Sequence, residues 1–261
     1  MNIEKIKSEL IDEIEKQIKI IKNEYKDLIN IEKSYNLKKQ VHIMNTGTVS
    51  LFVQNKNFYF PLDAVTALEK LKKIPGFGIN KNHKTHTNKN VILNNNTYLS
   101  YIKHAYLKGL TPIMYYKEIL LHETFHFCGS GGGSALREGI NELKTRQLAQ
   151  KYNLLTSSCG YPKEVKIAYQ LEQVLKEDTI NKIAFSKNDE EIKNILNKIS
   201  PEAVKLYFNL EKSMNEEFYH KYMKYNYPGF LGMFKKTIKY HNINYKKAQK
   251  ILENYIKNKE I

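Results

Sequence analysis

The chain has 261 residues, 41% of them hydrophobic, and a formal net charge of +15 from 42 basic and 27 acidic side chains. That composition excludes a disordered chain, and the length allows one large domain or two small ones. No apolar run reaches the roughly 18–20 residues of a membrane span, and the acids within "MNIEKIKSELIDEIEKQIKI" exclude a secretory signal. Cys128 and Cys159 are the only cysteines, too few for a disulfide framework, so a cytoplasmic location is expected, with release by an unmarked route left open. Arg137 and Arg146 are the only arginines. Specific contacts to bases and phosphates favour the arginine fork, and the lysines are spread along the chain. The charge therefore reads as solvated surface, with no specific nucleic-acid partner.

Residues 2–37 predict a long amphipathic helix. Ile3, Ile6, Leu10, Ile14, Ile18, Ile21, Tyr25 and Leu28 recur at spacings of three and four between Lys and Glu. Such a stripe packs on the body of the protein or pairs with another chain. In 39–60, β-branched and aromatic residues flank the polar turn Gln54–Asn57, which predicts a hairpin. Pro61 then opens a short helix, and 74–90 reads as loop from its glycines, proline and polar residues. "NVILNNNTYLSYI" offers one or two further strands.

From Thr111 the pattern becomes helical, with Thr111 as cap and Pro112 as first helical residue. This helix ends at Gly129. "GSGGGS" breaks the chain, and Ser134 caps a second helix running to about Tyr152. Helices follow at about 163–176, 189–199, 201–224 and 235–258. The expected organisation is an N-terminal helix (1–38), a mixed part carrying the motif (39–152) and a helical C-terminal part (153–261). The last two are allowed to form one unit.

His122-Glu123-Thr124-Phe125-His126 is HExxH on a predicted helix. Positions i and i+4 share one helix face, so both imidazoles can reach one ion, with Glu123 beside it. Zinc suits imidazole and carboxylate ligands, and a catalytic site takes three protein ligands and keeps one position open. The metzincin continuation needs a ligand at position 132, which is Gly132, so that class fails. A glutamate from the following helix is the alternative. Glu138 and Glu142, four apart, offer two carboxylates on one face. Glu138 is assigned as the ligand, and Glu142 as the residue that orients a histidine N–H.

His122-Glu123-x-x-His126 followed by Glu138-Gly139-x-x-Glu142 resembles the gluzincin metallopeptidases, over about 25 of 261 residues. Two features depart from that pattern. Only eleven residues separate His126 from Glu138, and the acid one turn later is Glu142 rather than Asp. The resemblance implies an α+β, zincin-like fold, with the active-site helix beneath a small sheet and a helical C-terminal part closing a cleft. Strand 90–94, or 97–102, would then be an edge on which an extended peptide pairs. It also implies a zinc-dependent hydrolase of a peptide or protein substrate, with Glu123 taking a proton from metal-activated water. The oxyanion donor would be a later Tyr or His, and Tyr161, Tyr169, Tyr219 and His220 are the candidates in chain order. Oligomeric state is not indicated.

Other residues read more plainly. His83 and His86 fit a solvated loop, and His42, His104 and His241 are isolated. Cys128 points away from the histidine face and reads as a buried small hydrophobe. Arg137 either binds a substrate carboxylate or faces solvent. The rivals to the peptidase reading are a basic, helix-rich binding module and an inactive zincin-like protein with a structural metal site.

Overall fold

The computed structural model describes residues 3–29, 36–44, 76–80, 89–94, 112–129, 134–156, 161–226 and 245–258. Helix dominates them. The elements in order are α1 (Ile3–Glu24), α2 (Leu37–Gln40), β1 (Val41–Met44), β2 (Gly76–Asn80), β3 (Lys89–Asn94), α3 (Pro112–Phe127) and α4 (Ala135–Tyr152). They continue with α5 (Pro162–Leu175), α6 (Glu177–Ala184), α7 (Asp189–Asn197), α8 (Pro201–Asn226) and α9 (245–257).

The α+β, zincin-like expectation is overturned, because the described residues are overwhelmingly helical and supply no sheet layer of that kind. Extended backbone among them is confined to three short segments in the order β1-β3-β2. β1 runs parallel to β3 with Val41 opposite Val91, and β2 antiparallel to it with Phe77 opposite Ile92. Two narrower expectations change with this. Residues 90–94 are flanked on both sides, so their N–H and C=O groups are already engaged and offer no edge to a peptide. Residues 76–80, read as loop, pair with β3 instead. Gly76 and Gly78 mask the alternation of Phe77 and Ile79. The hairpin turn at 54–57, the helix from Pro61, strand 97–102, the Thr111 cap and the histidines 83, 86, 104 and 241 lie outside the described residues. So does Cys159.

The chain divides into two compact units, one of Met1–Cys128 with Tyr152–Ser157, the other of Gly129–Lys151 with Ser158–Ile261.

In the first unit α1 packs along α3. Leu10, Ile14, Ile18, Ile21 and Tyr25 form the buried stripe expected from the sequence. They join Tyr116, Leu120, Leu121 and Phe125 of α3, all buried. Each fully buried Leu or Ile contributes about 1.5–3 kcal/mol. Tyr25 meets Phe125 edge to face at 5.8 Å. One polar pair interrupts the apolar seam. The Thr124 hydroxyl lies 2.8 Å from buried Gln17 Oε1 and 2.8 Å from the Leu120 carbonyl, and can donate to either. Beyond α3 the chain reaches Gly129 at φ 108, a left-handed conformation that glycine adopts without Cβ strain, which ends the helix.

In the second unit α4 lies against α5 through a buried ion pair. Lys144, with no exposed surface, reaches Glu172 Oε1 at 2.5 Å, and Gln147 donates to Glu172 Oε2 at 2.9 Å. The sequence pattern predicts one helix over 163–176 and none at 177–184. In the structure the chain turns at Lys176 and starts α6 there. Lys176 has φ 70 and ψ 153, a region that strongly favours glycine. Relief of that strain, about 1–3 kcal/mol, exceeds the roughly 0.5–1 kcal/mol that glycine adds to chain entropy. Lys176→Gly is therefore expected to stabilise the protein by about 1 kcal/mol in denaturant unfolding. An unchanged or lower midpoint would refute the strained turn.

Candidate metal centre

α3 is buried on most of its circumference, so its polar side chains stand out. His122 and Glu123 are 9% and 5% exposed, and His126 is half-buried. One helical turn separates the two imidazoles. Their rings meet at 4.8 Å with an interplanar angle of 78°, and the two Nε2 atoms are 3.1 Å apart. A proton on one Nε2 makes this contact a hydrogen bond. With the protons on Nδ1 instead, two lone pairs converge. In that state both imidazoles would be able to offer a nitrogen to one ion.

Glu138, in the first turn of α4, can supply a third donor. His122, His126 and Glu138 form a group that could hold a metal ion. Two imidazole nitrogens and one carboxylate oxygen match the donor types that zinc takes in catalytic sites, though they do not by themselves select zinc over other divalent ions.

Glu142, one turn along α4, is buried and accepts from Arg146 Nε at 2.9 Å. It is not part of the three-residue group. The residue after Glu138, Gly139, is held by space rather than by conformation. A Cβ there would fall 2.6 Å from both the carbonyl carbon and oxygen of Glu164 on α5. Glu164 is itself buried and accepts from the Tyr245 hydroxyl at 2.5 Å.

The start of α4 carries a polar cluster that no sequence motif announces. Ser134 Oγ donates to Glu211 Oε1 at 2.7 Å and accepts from the Arg137 N–H at 3.2 Å. The Ala135 N–H donates to Asn215 Oδ1 at 2.8 Å. Arg137 is partly buried and engaged by acidic side chains. It pairs with Asp189 at 2.6 Å and stands 3.7 Å from Glu211. Burial pushes the Glu211 carboxyl above the usual carboxylate range, against the hydrogen bond from Ser134 and the charge of Arg137. Burial likewise raises the neighbouring Tyr207 hydroxyl, and the charge of Glu211 adds to the shift. Glu211 and Asn215 lie 77 and 80 residues beyond their respective partners Ser134 and Ala135, so only the tertiary structure brings them to α4.

Of the oxyanion candidates, Tyr161 precedes α5 in a left-handed conformation, φ 48 and ψ 46. Tyr169 is 52% exposed on α5. Residues 219 and 220 belong to α8, and their side chains are outside the described set. Cys128 is buried, as expected. Among the described residues no helix is long and apolar enough to cross a membrane. Compared with protein-family models, with curated proteins and with solved structures, the chain gives no match in any of the three.

Proposed function

We propose that the chain is a zinc-dependent hydrolase that cleaves a peptide bond in a peptide or protein substrate, with Glu123 as general base. The observation that supports this reading is that His122, His126 and Glu138 could hold a metal ion, with Glu123 next to the first of them on α3. When bound there, zinc supplies a Lewis acid that makes water acidic enough to be deprotonated near neutral pH. Glu123 accepts that proton and returns it to the leaving amine nitrogen. Its burial keeps bulk water from competing for the proton. The ligand pattern is similar to that of gluzincins in its residues, and the reading rests on that pattern and its geometry, not on fold. Tyr161, Tyr169, Tyr219 and His220 remain the candidates for stabilising the oxyanion.

Metal analysis tests the site. The purified chain is expected to carry one equivalent of zinc, and His122→Ala to lose it. Glu138→Ala should weaken zinc binding more than Glu142→Ala. A chain without stoichiometric metal, or one whose zinc survives His122→Ala, leaves the binding-module rival in place. The reverse order for the two glutamates would exchange their roles.

A further inference from the structure

We propose that Glu211 and Asn215 are positioning residues for the metal ligand Glu138, acting through the first turn of α4; the proposal rests on the metal-site reading above. The first N–H groups of a helix have no partner within it, and an uncapped first turn frays. Glu138 lies in that turn, so its carboxylate is only as well placed as the turn is ordered.

In this protein the turn is held from α8. Glu211 and Asn215 are four residues apart and share one face of that helix. Asn215 Oδ1 accepts the Ala135 N–H, the first helical donor of α4. Glu211 accepts the Ser134 hydroxyl proton, which aims the other lone pairs of Oγ at the Arg137 N–H. The Ser134 carbonyl in turn accepts the Glu138 N–H at 2.9 Å. A continuous path of hydrogen bonds thus runs from the Glu211 carboxylate through Ser134 to the backbone of the ligand residue. Arg137, between Glu211 and Asp189, fixes the same turn from a second side. The carboxylate of Glu211 is largely buried, and these contacts are what make its burial tolerable. Capping of a helix start by a side chain 80 residues away is a tertiary device, and the helix start it orders bears the third ligand.

The test uses the full chain, with zinc affinity measured by competition against a chromophoric chelator and thermal unfolding measured in EDTA. Asn215→Ala is expected to weaken zinc binding by about tenfold, as loss of an outer partner of a metal ligand does. Asn215→Asp keeps an Oδ acceptor and should restore most of the affinity. A merely structural role would lower the unfolding midpoint in EDTA while leaving the zinc affinity of the folded protein unchanged, and that result overturns the proposal. Ser134→Ala, which deletes a single hydroxyl, provides the second reading if Asn215→Ala does not fold. It should weaken zinc severalfold, and an unchanged affinity counts against the proposal equally. If the wild-type chain binds no equivalent of zinc, the metal reading itself has failed. If it binds one and neither variant changes the affinity, only the positioning role has.

Discussion

Glu123→Gln should leave zinc content and fold intact and lower hydrolysis by about 100- to 10,000-fold, the range that a positioned general base supplies. Glutamine has nearly the shape of glutamate and still forms hydrogen bonds, so the packing around this buried position of α3 is kept. What it loses is the ability to accept a proton. The three proposed ligands are untouched, and metal analysis of the variant should match the wild type. Hydrolysis of a fluorescein-labelled casein, measured on both proteins after gel filtration, reads the difference. A variant as active as the wild type removes Glu123 from the base role. A wild type that binds zinc and cleaves nothing, across casein and a library of short peptides, favours a structural metal site instead.

The second large effect is expected at Gly139. In a helix interior, exchanging glycine for alanine normally stabilises a protein by about 0.5–1 kcal/mol. Here the sign should reverse. An added Cβ meets the backbone carbonyl of Glu164 at 2.6 Å, inside any real contact distance, and backbone cannot swing away as a side-chain end can. Overpacking of this kind destabilises by about 1–3 kcal/mol, and the clash must also overcome the helical gain. Gly139→Ala is thus expected to lose about 1–3 kcal/mol in denaturant unfolding. Because residue 139 follows Glu138, zinc affinity should fall with it. A variant more stable than wild type would show that α5 can retreat from α4 at no penalty. Gly139→Ser offers a check, since it adds the same Cβ and should fail in the same direction.

The three residues that could hold a metal were legible because metal-binding chemistry demands local spacing. His122 and His126 must share a helix face, and Glu138 and Glu142 do so on the next helix. The same helical period exposed Leu10, Ile14, Ile18 and Ile21 of α1, all buried, and missed the buried Gln17 beside them. The layer architecture was not legible. The zincin-like layer expectation rests on resemblance across the short stretch from His122 to Glu142, and a metal motif constrains one helix and a ligand, not the layers around them. The fate of 90–94 had a different obstacle. An apolar run identifies a strand, but whether it is central or at an edge depends on partners such as Val41–Met44, far upstream in the chain. Glu211 and Asn215 were invisible for the same reason. Each is an ordinary polar residue on a helix until tertiary structure places it against Ser134 and Ala135. The strained Lys176 shows the limit of propensity in the other direction, since nothing in "VLKED" announces a left-handed backbone.

Two contacts bear on what the His-Glu-x-x-His motif really contains. The motif leaves its two middle positions unspecified, as if any residue would serve. In this chain neither is idle: Thr124 hydrogen-bonds Gln17 on α1, and Phe125 abuts Tyr25 just beyond the end of that helix. The N-terminal helix is thereby written into the motif. Transplanting the pentapeptide to a foreign helix would carry the proposed metal-binding atoms and leave behind the surface that fixes how the helix is rotated. The smallest portable unit is two helices, α1 and α3, drawn from separate parts of the chain.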